Sequence, residues 1–225
     1  MNRMPFSTWS ARGILGLDRG RVKTQTRRFI KPQPPDDWEP AEIIRAGKYG
    51  GMNLAHHSGE WSENGDPEND IFRPHYKPGE IVAMGEALVP TSCRKVSYAV
   101  GGHLIENSAG PAHVVVWPWK VKKLPSIYMP LWAARRWLRI VDVRAERMLD
   151  ISEEDAQAEG LAGNYAWSGA GWHYDWQASD GAWYADHTSA FAATIRGHNP
   201  KMGPEDNPWL WAYTLEQVEK GADGH

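Results

Sequence analysis

A short basic stretch near the start of the chain carries the side chains with the clearest chemical potential. Residues 23–30 read KTQTRRFI, so a lysine, two arginines and two threonine hydroxyls lie close together. Ammonium and guanidinium groups bind anions such as phosphate oxygens. Residues 1–31 hold eight lysines and arginines against Asp18 alone, whereas residues 32–72 hold nine acids against two bases. This asymmetry predicts a confined anion-binding site rather than a broad cationic coat.

The alternation of residues 23–30 predicts a strand, which Lys31 and Pro32 end. A period of two separates its side chains into one face with Thr24, Thr26 and Arg28 and another with Lys23, Gln25 and Arg27. A bulge or bend would change that division. A second chemical group, Glu86, directly follows the apolar stretch at residues 81–84 and is expected at the end of another strand.

The remaining patterns predict isolated strands and short helices. Strands are expected over residues 5–7, 96–105, 112–119, 137–148 and 209–215, a helix from Thr8, a helical turn over 131–135, a helix over 188–195 and another that Ser152 caps and Gly160 ends. Five or six strands with isolated helices predict an α+β or mostly-β barrel, not a parallel α/β sheet. Two stretches, 32–74 and 161–185, are expected to be loop insertions in a single domain over residues 1–219, with 220–225 as a tail.

Composition excludes several classes of protein. The chain has 225 residues, 41% of them hydrophobic, and has no apolar run long enough to span a membrane. The single cysteine, Cys93, excludes an internal disulfide, and a cytoplasmic location without membrane attachment is expected. No phosphate-binding glycine loop is present, so no cofactor is predicted. His56 and His57 lack the spacing of a dependable metal site, so no metal is predicted either.

Several blocks of the chain together resemble the ASCH domains of the PUA-like superfamily, in the enlarged form that phages and prophages often encode. The similarity covers about half of the chain and lies in five stretches: GRVKTQTRR at 20–28, KPGE at 77–80 with the strand to Glu86, PSIYMPLWA at 125–133, DISEEDA at 150–156 with Glu159 and Gly160, and NPWLW at 207–211.

The resemblance implies a small PUA-like β-barrel with a cleft for a nucleoside or nucleic acid, RNA more than DNA. Some members remove the acetyl group of N4-acetylcytidine with a lysine, a threonine three residues later and a glutamate on a following strand. Carried over to this sequence, the catalytic residues are Lys23, Thr26 and Glu86. The ligand-binding residues expected beside them are Arg27, Arg28, Thr24, Trp132 and Arg135. No oligomeric state is predicted.

Amide hydrolysis needs a nucleophile, a proton acceptor and stabilisation of the oxyanion. A threonine hydroxyl needs a base, and a lysine whose pKa burial lowers can serve as one. Glu86 would then hold the lysine, pass the proton to the leaving amine or activate a water. On an ideal strand residues 23 and 26 face opposite sides, so this mechanism requires a bend, a bulge or a loop at Lys23.

Other functions fit the same residues. The basic strand is also typical of a solvated sheet edge. Trp132 fits core packing as well as base stacking, and the arginines between 135 and 147 fit one wet strand face as well as a phosphate path. The competing hypotheses are therefore a non-catalytic module that binds RNA or a modified base and, third, a metal-independent ribonuclease.

Overall fold

The computed structural model describes residues 2–17, 22–34, 38–39, 55–56, 74–107, 113–168, 170–197 and 199–219. Strands dominate these residues, and they are β1 (Asn2–Pro5), β2 (Gln25–Phe29), β3 (Trp38–Glu39), β4 (Ala55–His56), β5 (Ile81–Gly85), β6 (Leu88–Pro90), β7 (Val96–Tyr98), β8 (Glu106–Asn107), β9 (His113–Val114), β10 (Trp137–Arg147), β11 (Ala162–Ser168), β12 (Gly171–Gln177), β13 (Trp183–Tyr184) and β14 (Trp209–Val218). The α-helices are α1 (Thr8–Ile14), α2 (Glu153–Ala158) and α3 (His187–Arg196). Single 3₁₀ turns cover Ser126–Tyr128, Leu131–Ala133, Met148–Asp150 and Pro204–Asp206.

This composition confirms the α+β class. The chain divides into two compact units built from discontinuous segments. Unit 1 comprises Met1–Arg19, Ile81–Arg139 and Glu216–His225, and unit 2 comprises Gly20–Glu80 and Ile140–Leu215. The acidic insertion expected at 32–74 lies mostly outside the described residues, as does the 220–225 tail. None of the helices in the described ranges has the length and apolar character needed to cross a membrane.

In unit 1, β1 runs parallel to β5, and the first residues of β10 pair antiparallel with β5 on its other side. The hairpin β6–β7 lies over a buried cluster. The cluster contains Leu88, Val96, Tyr98, Ile105, Trp117, Leu124, Met129 and Ala133. Tight packing of these apolar side chains is the main source of stability in this unit.

Unit 1 departs from the sequence expectation at three strands, the first of which was expected over 5–7 and is β1 at Asn2–Pro5. The strand expected over 112–119 is only β9, followed by an isolated bridge between Lys95 and Val116. Its β-branched residues favour a strand. Pairing ends at Trp117, whose backbone N–H still donates to the carbonyl of Arg94 at 2.6 Å, because the next residue, Pro118, has no N–H to donate. The side chain of Trp117 is buried, and its Nε1 donates to the Val121 carbonyl at 2.9 Å. The strand expected over 96–105 is likewise confined to β7.

In unit 2, β2 pairs antiparallel with β14 in regular register, from Gln25 opposite Thr214 to Phe29 opposite Leu210. Pro32 follows and lacks the backbone N–H that a further rung would need. The side-chain amide of Gln33 takes its place: Nε2 donates to the carbonyl of Trp209 at 3.0 Å, and Oε1 accepts from its N–H at 2.7 Å. The ladder between β2 and β14 is thereby lengthened by a side chain.

The prediction of a loop over 161–185 is wrong, because three strands lie in this range. β11 and β12 form a seven-pair antiparallel hairpin, and β13 adds a short third strand. The ring of Tyr174 packs edge-on against those of Tyr165 and Trp176, with centroids 4.8 and 5.2 Å away. The pair of Tyr165 and Tyr174 joins directly opposite residues of the two strands and so stabilises the hairpin, whereas Trp176 lies two residues along β12 from Tyr174. Glycine and alanine between the aromatic residues hide this pairing from a search for alternation.

Candidate functional site

Lys23 is buried in unit 2 immediately before β2. Its side chain is 1% exposed, and Nζ donates to both the carboxylate and the backbone carbonyl of Glu159, the latter at 3.0 Å. The backbone is fixed at the same place, because the N–H of Thr24 donates to the carbonyl of Ala158 at 2.8 Å. The lysine is therefore held against the end of α2.

The end of α2 is shaped to receive this lysine. Ser152 caps the helix, its hydroxyl accepting from the N–H of Asp155, and Glu159 stands at the C-terminal cap. Gly160 follows with a φ of +89°, and a Cβ there would lie 3.3 Å from the Cβ of Lys23. A glycine is thus required both by the left-handed turn and by the close approach of Lys23.

Arg27 brings a second buried cation to the same carboxylates. Its Nε donates to Glu146, Nη2 lies 2.9 Å from Asp155, and Nη1 lies 3.3 Å from Glu159. Arg144 donates to Glu146 at 3.0 Å and also to Asp155. We call this group the ion-pair cluster, and it consists of Lys23, Arg27, Arg144, Glu146, Asp155 and Glu159.

Burial and charge act in opposite directions on the two central cations. Burial lowers the pKa of Lys23 and outweighs the opposing effect of Glu159, so the net pKa lies below the ordinary value of 10.5. Burial also lowers the pKa of Arg27, but the carboxylates of Glu159, Glu146 and Asp155 raise this pKa by more than burial lowers it. The guanidinium of Arg27 therefore stays charged. The arrangement thus holds a permanent guanidinium beside an amine that loses its proton more readily than a lysine in water.

Thr26 is buried on β2, one residue before Arg27. The regular pairing of β2 with β14 spans residues 25–29, so strand alternation places Thr26 on the face opposite Arg27. Lys23 and Arg27 meet the same carboxylate, that of Glu159. Thr24 and Arg28 alternate with Arg27 in the same way, and burial lowers the pKa of the Arg28 guanidinium.

Glu86 lies in unit 1, directly after β5, and is 1% exposed. Its carboxylate accepts from Nε and Nη2 of Arg135 at 2.9 and 2.8 Å. Nη2 also donates to the carbonyl of Val100 at 3.1 Å, and the guanidinium lies 4.0 Å from the ring centre of Tyr98. Burial raises the pKa of Tyr98 to about 12, so its hydroxyl remains a donor, here to the carbonyl of Ala133.

Of the predicted site residues, Lys23, Thr24, Thr26, Arg27 and Arg28 belong to unit 2, whereas Glu86, Trp132 and Arg135 belong to unit 1. Lys23 and Arg27 share a carboxylate, and Glu86 and Arg135 form an ion pair. Trp132 is 53% exposed, which excludes the core-packing alternative for it. The assignment of these residues to catalysis and binding stays a prediction.

The carboxylates of the ion-pair cluster were missed by sequence reasoning. Glu146, Asp155 and Glu159 stand more than a hundred residues from the basic strand that they contact. One local signal was available: Glu159 directly precedes Gly160, the residue expected to end a helix. At that position both the carbonyl and the carboxylate of Glu159 accept from Lys23.

Comparisons of the chain with models of known protein families, with curated proteins and with solved structures found no match.

Proposed function

We propose that the protein is a hydrolase of the exocyclic amide of acylated cytosine, in a nucleoside or in nucleic acid, on a PUA-like barrel. The ASCH resemblance names Lys23, Thr26 and Glu86 as its catalytic residues. The observation that carries the proposal is the buried amine of Lys23, held on Glu159 in a place where burial lowers its pKa. A lysine that serves as a general base at neutral pH needs such an environment.

The reaction follows from the residue types. Neutral Lys23 takes a proton from the hydroxyl of Thr26 or from a water, and the oxygen attacks the acyl carbon. The C–N bond then breaks, and the proton passes to the exocyclic nitrogen, which leaves as the amine of cytosine. Where Thr26 attacks, water hydrolyses the acyl ester in a second step; where water attacks, the carboxylic acid forms directly.

A second function, binding of RNA or a modified base without turnover, is favoured by two observations. Alternation places Thr26 on the face of β2 opposite Arg27, whereas Lys23 shares Glu159 with Arg27. The carboxylate of Glu86 is occupied by two hydrogen bonds from Arg135. A binding module would need neither a free base nor a free carboxylate.

Turnover decides between the two. The protein is incubated with N4-acetylcytidine and a panel of N-acylated nucleosides, and release of cytidine is followed by chromatography. We expect Lys23→Met to lower kcat/KM by about 100-fold or more, the usual contribution of a general base. Lys31→Met, an exposed lysine at the end of the same strand segment, is the matched control and should retain activity. Glu86→Gln tests the second predicted residue.

No turnover of any acylated nucleoside by the wild-type protein, together with binding of the same compounds, would establish the binding module. Turnover that Lys23→Met leaves intact would remove Lys23 from the mechanism.

The pH profile gives an independent test. If Lys23 must be neutral, kcat/KM rises with pH through the pKa of Lys23. Glu159 raises that pKa, so Glu159→Gln should move the rise to lower pH. Glu205→Gln, which removes an exposed carboxylate paired with Arg196, should leave the profile in place. A profile that Glu159→Gln does not move contradicts a catalytic role for Lys23.

A further inference from the structure

Residues 120–136 of unit 1 form a surface that combines cations with exposed aromatic rings. Lys120, Lys122 and Lys123 are exposed, and so is Arg136 at the other end. Between them Tyr128 is 67% and Trp132 53% exposed. We call these six residues the basic aromatic strip.

The strip is anchored to the core at several positions. Trp117, Leu124, Met129 and Ala133 belong to one buried cluster of unit 1, so the side chains that emerge between them lie on the surface over that cluster. Leu124 exchanges two backbone hydrogen bonds of 2.9 Å with Leu88. These anchors fix the backbone that carries the rings.

The backbone around Tyr128 is held from a second side. The guanidinium of Arg3 donates to the carbonyls of Ile127 and Met129, the residues that flank Tyr128. The two 3₁₀ turns, Ser126–Tyr128 and Leu131–Ala133, each present one of the two rings. A ring presented by a fixed backbone loses little conformational entropy when a ligand stacks on it.

Charge identifies the kind of ligand. Residues 81–139 hold eight lysines and arginines against the two acids Glu86 and Glu106, although the whole chain has a formal net charge of −3. Carboxylates neutralise two of the eight cations, since Arg135 pairs with the buried Glu86 and Arg139 pairs with Glu216, which leaves six cations and Glu106 in this count. The excess of positive charge in this segment therefore fits a polyanion.

The aromatic rings narrow the choice among polyanions. Flat rings stack on bases irrespective of sequence, whereas phosphates alone would need only the lysines. Exposed lysines beside exposed rings are the combination that single strands require, because a duplex keeps its bases stacked on each other. We infer that the basic aromatic strip binds single-stranded nucleic acid, with phosphates on Lys120, Lys122 and Lys123 and bases stacked on Tyr128 and Trp132.

This inference deepens the proposed function, because it names a polymer rather than a free nucleoside as the substrate. The naming of a substrate rests on the proposed function, whereas the binding of a single strand does not. Binding is measured by fluorescence anisotropy on labelled oligouridylate and oligothymidylate of about 15 nucleotides, near the upper site size of single-strand grooves. Heparin, duplex DNA and vesicles containing phosphatidylserine serve as comparison ligands. The RNA and DNA strands show which sugar is preferred.

Two pairs of variants separate charge from stacking. Lys122→Gln with Lys123→Gln should lower the slope of log Kd against log salt concentration by about 1.4, since each phosphate contact on a single strand contributes about 0.7. The control, Lys77→Gln with Lys201→Gln, removes the same charge from two exposed lysines of unit 2 and should leave the slope unchanged. Tyr128→Ala should weaken binding about 5- to 150-fold through the lost stacking. Its control is Tyr165→Ala, because Tyr165 is 68% exposed and lies in unit 2.

The inference is overturned if both lysine pairs change the slope equally or if Tyr128→Ala leaves binding to oligouridylate unchanged. It is also overturned if heparin or vesicles bind as tightly as the single strands and depend on the same side chains. Hydrolysis of free N4-acetylcytidine by the wild-type protein is measured in parallel. Turnover without strand binding defeats this inference alone, and strand binding without turnover defeats the proposed hydrolase alone.

Discussion

A buried carboxylate is stable in a protein only when hydrogen bonds and an opposite charge compensate its own charge, and Glu86 has both. Two donors of Arg135 reach its oxygens, and the guanidinium in turn packs on the ring of Tyr98. The predicted catalytic acid is thus at the same time a structural group. Removing its partner leaves a charge in a place that water does not reach.

The neighbouring arginines 135 and 136 allow this to be measured. Arg135→Gln should lower the free energy of unfolding by about 3 kcal/mol, the cost of a buried charge that has lost its partner. Arg136 is exposed, and Arg136→Gln should change the free energy of unfolding by less than about 0.5 kcal/mol. Urea denaturation gives both values. Adding Glu86→Gln to Arg135→Gln should restore part of the loss, and equal losses for the two single variants would contradict the account.

At the scale of elements, the short helix α2 positions the buried amine of Lys23. Its last turn delivers a backbone carbonyl and the carboxylate of Glu159 to Lys23. The glycine after it turns the chain away while leaving space for the lysine stem. The position of Lys23 therefore depends on Gly160 as well as on the backbone that leads into β2.

Two glycines with nearly the same backbone conformation separate strain from crowding. Gly79 has a φ of +83° with open space around it, whereas a Cβ at Gly160 would press on the Cβ of Lys23. Gly79→Ala should cost about 1 to 2 kcal/mol from the left-handed conformation alone. Gly160→Ala should cost the same plus about 1 kcal/mol or more of overpacking. Thermal or urea unfolding of both variants measures the difference, and equal costs would mean that Lys23 does not press on Gly160.

At the scale of the whole molecule, positive charge is treated differently in the two units. In unit 2 the cations of the basic strand are neutralised within the protein. Lys23 pairs with Glu159, which follows α2, and Arg27 pairs with Glu146 of β10 and Asp155 of α2. In unit 1 the lysines at 120, 122 and 123 stay exposed. The sequence pattern predicts a binding site at the basic strand of unit 2. In the structure, the exposed lysines of unit 1 are the cations that an outside ligand can reach.

Salt distinguishes the internal charges from the surface charges. Arg27→Gln should lower the free energy of unfolding by about 3 kcal/mol, and this loss should hardly differ between low and high sodium chloride, because buried pairs are weakly screened. Arg196 forms an exposed pair with Glu205 at 2.8 Å, so Arg196→Gln should cost less than about 1 kcal/mol and nothing at high salt. Urea denaturation at both salt concentrations tests this. A strong salt dependence for Arg27→Gln would show that water reaches the ion-pair cluster.

Local patterns predicted the parts of the fold that local interactions determine. Alternation located β2, β10 and β14, and the capping serine and final glycine located α2. The strand expected over 112–119 is shorter than predicted because Pro118 has no backbone N–H, which outweighs the β propensity of the valines before it. The partners of Lys23 and Arg27 could not be found because a carboxylate 119 or more residues away leaves no local periodicity.

The side-chain amide of Gln33, which makes the hydrogen bonds of a backbone rung, affects how the end of the sheet is encoded. Where β2 leaves its neighbour, the two strands are joined by an amide that belongs to a side chain, so the length of the ladder there is encoded by a residue type and not by chain geometry. Replacing that amide with an acid would keep the acceptor for the N–H of Trp209 but delete the donor to its carbonyl, so one of the two side-chain hydrogen bonds would be lost while the N–H of Ile30 still donates to that carbonyl. The strength of the sheet at this boundary can therefore change during evolution through a single codon.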